Sequence, residues 1–225
     1  MISRRQLLRL SVLFSFCYPF ANIRHFAEAE EREDGYPRTR ALLERAYWSE
    51  TTAHRHYDEY RKKALSEGYP NIAYLFHAFS VSEKIHSENF KKILLSFGDA
   101  FQERPVPVSS ADTKSNLNAA AVKELQKINR FYPDIIKKMS FESHDQTVLN
   151  CMYSWKSHQQ HEKIIRDIKK FSGLFFKPLA KKIEKMSPHY HVCDICGSTM
   201  DEKPELPCEI CDYPVSHYKK IQRPV

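Results

Sequence analysis

The residues able to do metal chemistry gather at two places in the 225-residue sequence. Near the C-terminus stand Cys193-Asp-Ile-Cys196 and Cys208-Glu-Ile-Cys211, two Cys-x-x-Cys knuckles eleven residues apart. Four thiolates at this spacing close on one tetrahedral ion, and iron and zinc both accept that set. Gly197, after the first knuckle, supplies the permissive backbone such a turn needs. Asp212 holds the matching place after the second, and Asp enters left-handed conformations more readily than most residues. The other place is Glu83-Lys-Ile-His86. At i and i+3 of a helix, both side chains reach a common ion. In a four-helix bundle this pair is half of a carboxylate-bridged two-metal site, which also takes one Glu from each of two partner helices and a second Glu-x-x-His.

The numbering supplies candidates for the rest. Glu50 lies 33 residues before Glu83; Glu124 lies 34 before His158, and His161 follows three later. Gly68 lies 18 before His86, as Ser143 lies 18 before His161. Two degenerate helical hairpins are the implied repeat. The first satisfies the template. In the second, His158-Gln-Gln-His161 puts imidazole where a bridging carboxylate should stand, and imidazole binds one ion without bridging two. The set Glu50, Glu83, His86, Glu124, His158 and His161 remains a sound cluster for two metals, one, or none.

Helices must position these side chains. Between Arg40 and Glu67 there is no Pro or Gly, Thr39 is a candidate N-cap, and apolar residues recur at helical spacing. Gly68-Tyr69-Pro70 predicts a turn, and a second helix is expected over 71–97. Gly98 to Asp112, with Pro105 and Pro107, reads as the long connection between hairpins. A third helix is expected to begin near Thr113–Asn116 and to continue past Pro133 with a kink or a short break there. A fourth is expected over 143–171, with Cys151 as a buried thiol. The fold class is therefore mainly α: a four-helix bundle over 39–172, a linker over 173–188 and a small four-cysteine metal domain over 189–225.

The N-terminus reads as a targeting segment. Ser3-Arg-Arg-Gln-Leu-Leu-Arg9 is a twin-arginine pattern, followed by a short apolar run and Ala27-Glu-Ala29, a cleavage signal. Residues 1–29 are thus an expected signal peptide, which Cys17 leaves with, and 30–38 a charged linker. Export by this route places the protein in the periplasm or another extracytoplasmic space, with membrane contact only through an uncleaved signal. Folded, metal-loaded proteins use the route, so the thiolates would be capped before meeting an oxidising compartment. The formal net charge is +7. The first 29 residues hold four arginines against one glutamate, which leaves 31 basic and 27 acidic side chains beyond them. With no basic block interleaved with aromatics, nucleic-acid binding is not expected.

The stretches Ser49–Tyr57, Lys62–Ala73 and Glu83–Asn89, then Thr113–Ala120 with Phe131-Tyr-Pro133, and the C-terminal cysteines together resemble the rubrerythrin family over about residues 39–221. The resemblance implies a ferritin-like di-iron bundle with a C-terminal rubredoxin-like domain, usually in a homodimer. It implies peroxide reduction at the bundle, with electrons from the rubredoxin-type iron and an unknown donor behind it. Glu50, Glu83, His86, Glu124 and His161 match the family's bundle ligands. Tyr57 and Tyr132 match tyrosines that hydrogen-bond to them; the bland alternative is a pair of core tyrosines. Fusion to such a bundle favours iron over zinc at Cys193, Cys196, Cys208 and Cys211. Two positions depart from the family: His158 replaces the bridging glutamate, and Lys127 replaces a further glutamate. An ammonium there could pair with Glu50 or Glu124 and stand in for a lost cation. Two other readings stay open: a non-catalytic iron-binding or electron-transfer protein with a degenerate bundle site, and a zinc-ribbon interaction module on a bundle.

Overall fold

A computed structural model describes residues 35–98, 102–170 and 176–225. The expected signal peptide and most of the linker after it lie outside these residues. Helix α1 spans Pro37–Ser66 and α2 Pro70–Ser96. Helix α3 spans Thr113–Gln126 and passes through a π-turn, Lys127–Phe131, into α4, Tyr132–Met139. Helix α5 is Asp145–Lys170 and α6 is Phe176–Lys185. Strands β1 (His191–Cys193), β2 (Thr199–Met200) and β3 (Tyr218–Lys220) form one antiparallel sheet in the order β2-β1-β3. His191 pairs with Met200 on one side and Lys220 on the other. Among the described residues, no helix is long and apolar enough to cross a membrane.

The helix ends follow from capping chemistry. Gly68 has φ 78°, and its N–H and that of Tyr69 close on Leu65 and Ala64 carbonyls, a Schellman ending to α1. Ser143, its counterpart in the second hairpin, is also left-handed (φ 56°), so the repeat extends to the turn geometry. Thr39 is not the N-cap of α1. The helix begins two residues earlier at Pro37, and the carboxylate of Glu142 accepts from the Arg38 and Thr39 N–H groups at 3.2 and 2.7 Å. The expected linker over 173–188 contains α6, which buries Leu179, Ala180 and Ile183 against the bundle core. Glu184 of α6 accepts from the Asn71 and Ile72 N–H groups at the start of α2. Asn71 Nδ2 in turn donates to carbonyls at the end of α6, including Ile183 at 3.0 Å and Met186 at 2.9 Å.

The break expected at Pro133 takes the form of the π-turn just before it. Proline cannot donate to the ladder and crowds the carbonyl four residues back, and the wider i→i+5 turn opens the ladder there. The Trp155 indole N–H takes up the Ile128 carbonyl at 2.9 Å. Two apolar layers pack the bundle, one around Tyr57, Phe76, Phe79 and Ile165, the other around Leu43, Phe90, Tyr132 and Met139. Cys151 is fully buried in the second, beside Met139. Polar side chains from α1, α2, α3, α5 and the π-turn meet within the bundle.

Candidate metal centre

Glu50 comes from α1, Glu83 and His86 from α2, Glu124 from α3, Lys127 from the π-turn, and His158 and His161 from α5. All seven are buried; Lys127, at 7% exposure, is the least so. Carboxylates taken this far from water cost several kcal/mol each unless they are compensated, so each needs a cation or donors. Lys127 Nζ makes a very short ion pair with Glu50 and lies 3.6 Å from Glu83 Oε2. The Tyr132 hydroxyl donates to the other Glu50 oxygen, and the Tyr57 hydroxyl to Glu124 Oε1, both in very short bonds. The π-turn makes the first arrangement possible. On an ordinary α-helix, residues five apart diverge by about 140°; the i→i+5 turn stacks Lys127 and Tyr132 on one face, both against Glu50.

Burial would push the Lys127 ammonium down, but Glu50, Glu83 and Glu124 raise it, so it stays charged. Burial and Glu124 hold the Tyr57 hydroxyl well above its usual range; burial and Glu50 do the same for Tyr132. Both phenols therefore remain donors. Burial would raise the Glu83 and Glu124 carboxyls, but the cationic form of His158 opposes it, aided by Lys127 at Glu83 and by His161 at Glu124, and both lie low. His158 is lowered by burial and raised more by the carboxylates, led by Glu83, to about 10. His161 is raised in the same way, chiefly by Glu124.

Two groups of ligand atoms lie close enough to share ions: Glu50, Glu83, His86 and His158, and Glu83, Glu124, His158 and His161, each within 4.8 Å of one another. Glu83 and His158 belong to both. Glu83 Oε1 and His161 Nδ1 are buried without a hydrogen-bond partner, 3.6 Å apart. An orphaned buried polar atom costs about 1–3 kcal/mol. A metal between the two removes both penalties, so the residues fit the group.

The four C-terminal cysteines are free and buried, with Cys193 and Cys211 sulfurs 3.8 Å apart and Cys196 and Cys208 sulfurs 3.5 Å apart. A disulfide needs about 2.05 Å. A tetrahedral ion with bonds of about 2.3 Å separates its sulfurs by about 3.8 Å. The donor set suits a single iron or zinc. Gly197 (φ 78°) and Asp212 (φ 60°) are both left-handed, as their matching places imply.

The four-cysteine domain sits directly over the bundle cluster. His86 lies 3.0 Å from Glu83 Oε2 through Nδ1 and 3.0 Å from the Cys196 carbonyl through Nε2. Ser82 and Ser157 hydroxyls both donate to the Gly197 carbonyl, at 2.7 and 2.9 Å, and Asn89 donates to that of Ile195 at 2.7 Å. A Cβ at position 197 would fall 2.3 Å from His86 Nε2, so glycine there serves close approach as well as turn geometry. The sequence does not reveal these docking serines, nor Thr199, whose hydroxyl lies 3.1 Å from His161 Nε2. Small polar residues on a helix face carry no spacing signature.

Residues 41–169 match the family model described as Rubrerythrin. Rubrerythrin-1 of Clostridium acetobutylicum is 25% identical over 192 residues, covering 81% of this chain and 93% of that protein. Nigerythrin of Nitratidesulfovibrio vulgaris is 25% identical over 173 residues, covering 76% and 81%. A solved structure of nigerythrin in a mixed-valence state superposes with a TM-score of 0.71 at 24% identity, over 81% of this chain and 86% of that one. The match across the helices that bear the buried carboxylates, together with the shared fold, makes this chain a member of the rubrerythrin family of di-iron oxidoreductases.

Proposed function

We propose that this protein reduces hydrogen peroxide to water at an iron site in the bundle, using electrons passed from iron held by the four cysteines. The observation that carries this reading is His86, whose single ring spans from a bundle carboxylate to the carbonyl of Cys196. Bound iron would supply the two electrons that, with two protons, convert H2O2 to two waters. The chain's own residues bind, orient and protonate. A cleft of 710 Å³ between α1 and α3 has Tyr57 and Lys127 on its wall. Both also touch the carboxylates, so a small neutral substrate using the cleft meets O–H and N–H donors beside the ligand cluster. Tyr57 Oη, Tyr132 Oη and Lys127 Nζ hold protons close to where the O–O bond would break. The test is anaerobic reduction of the iron-loaded protein followed by one equivalent of peroxide. Return of the bleached iron–thiolate absorption as peroxide is consumed supports the reading; a cysteine-bound iron that stays reduced refutes it.

The ion pair of Lys127 with Glu50 favours a second reading, an electron-transfer protein whose bundle site has lost its catalysis. The same experiment separates the two, because that protein leaves peroxide intact. We also propose export by the twin-arginine route, from Ser3–Arg9 and Ala27–Ala29. A reporter fused after residue 29 should leave the cytoplasm, and an Arg4→Lys, Arg5→Lys pair should hold it back.

A further inference from the structure

The bundle cluster has two ends, and they differ. At one end Lys127 already supplies a fixed cation, paired with Glu50 and 3.6 Å from Glu83 Oε2. At the other, four ligand atoms converge with no lysine or arginine among them. His158 Nδ1 lies 3.5 Å from Glu83 Oε1 and 2.7 Å from Glu124 Oε2. His161 Nδ1 lies 3.6 Å from each of those oxygens. A tetrahedral ion with bonds of about 2.1 Å spaces its ligands by about 3.4 Å. Three of these four separations lie near that value.

Tautomers agree with this end being the metal position. The Thr199 hydroxyl lies 3.1 Å from both the Gly197 carbonyl and His161 Nε2; donating to the carbonyl, it accepts from His161 Nε2–H, the tautomer that ligation through Nδ1 requires. In that tautomer Nδ1 is free to ligate, and it is one of the orphaned buried atoms. A ligating histidine held by a hydrogen bond through its other nitrogen is the usual arrangement. At His158, ligation through Nδ1 leaves Nε2–H to donate toward Glu50 Oε1, 3.4 Å away.

Charge decides how many ions fit. Glu50, Glu83 and Glu124 bring three negative charges and Lys127 one positive, a balance of −2 with the imidazoles neutral as ligands. One divalent ion brings the buried cluster to zero. Two would leave it at +2, and an uncompensated buried charge is strongly disfavoured. On the reading of the bundle as an iron site given above, we propose that it holds one divalent ion, at Glu83, Glu124, His158 and His161. The Lys127 ammonium permanently replaces the other.

Metal content per chain tests this. Full-length protein loaded anaerobically with iron(II) should hold two ions, one at the cysteines and one in the bundle. Lys127→Glu restores a balance of −4 and should raise the count to three. Half-reduced Lys127→Glu should show the exchange-coupled EPR signal of a mixed-valent pair, absent from the parent. His161→Ala should drop the count to one with the iron–thiolate spectrum intact. Three ions in the unaltered chain overturn the proposal and leave peroxide reduction standing. One ion overturns both. Two ions without peroxide turnover uphold it while removing the function proposed above. The unaltered chain's count needs no variant to fold.

Discussion

Glu50 is fully buried with three polar partners, Lys127, Tyr132 and His158, so each should be felt when removed. In Tyr132→Phe, Glu50 Oε1 keeps only His158 Nε2 at 3.4 Å, a poor substitute for the lost phenol. Hydrogen bonds to buried charges contribute about 1.5–3 kcal/mol. Chemical denaturation of the metal-free protein should show Tyr132→Phe destabilised by about that amount, and an unchanged midpoint would mean the contact is not formed. Gly197→Ala is the sharper case. Its left-handed φ and the His86 ring 2.3 Å from the new methyl both oppose it. If electrons pass from the cysteine site to the bundle as proposed, the variant's four cysteines should keep their metal and spectrum while that exchange slows, measured by rapid-mixing absorbance. Glu50, Glu83, His86 and the cysteines were legible in the sequence because helix and knuckle periodicity fix their spacing. Lys127 was legible as a departure, and its pairing with Glu50 as one of two options. The Thr199–His161 contact was not, since it joins residues 38 apart across two packed units whose docking no local pattern encodes.

Helices α1 to α5 were readable to within a few residues, but the N-terminal caps of α1 and α2 were not, because carboxylates distant in sequence supply them. Glu142 caps α1 from 103 residues away, and Glu184 caps α2 from 113. Cap removal typically costs about 0.5–2 kcal/mol. Glu184→Ala should lower the thermal midpoint and raise protease cleavage within α6 before any loss of the bundle. Two such carboxyls are depressed in the folded chain. Glu67 is held low by hydrogen bonds from Thr113 at the start of α3; at Glu142, slight burial is outweighed by the Thr39 and Arg38 N–H groups. A depressed folded pKa stabilises above the unfolded value, near 4.5, and that stability is lost as pH falls through the lower folded value. The midpoint should therefore fall on acidification below about pH 4.5, and a Glu67→Gln, Glu142→Gln double variant should be less stable at neutral pH with a shallower acid slope. The interruption at Pro133 was legible, but its π form was not, for a related reason. Its i→i+5 geometry is held by Trp155 on one side and Glu50 on the other, partners that Pro133 alone does not announce.

At the scale of the whole molecule, the bundle and the four-cysteine domain are joined by more than the connecting chain. Helix α6 is latched to α2, and Tyr74 of α2 donates to the Ile221 carbonyl near the C-terminus at 2.6 Å. In the four-cysteine domain the four sulfurs form the centre of its own apolar cluster, with Ile195, Ile210 and Tyr218 packed on them, so the domain's fold is expected to depend on metal. Stripping that ion with a thiol-competing chelator should expose the Lys203–Lys220 region to trypsin while α1 to α5 stay protected, read by peptide mapping. Simultaneous digestion of both would show the bundle to depend on its docked partner.

The first knuckle meets the bundle almost wholly through its main chain, offering the carbonyls of Ile195, Cys196 and Gly197 to Asn89, His86, Ser82 and Ser157. Peptide oxygens are present whatever side chain precedes or follows them. One partner thus writes its half of the recognition in a currency that evolution cannot alter by ordinary substitution, provided position 197 stays bare. Drift on the knuckle at 194 should be cheap, and compensating changes across the contact should be rare. For this knuckle, the side chains that set docking stand on the helices.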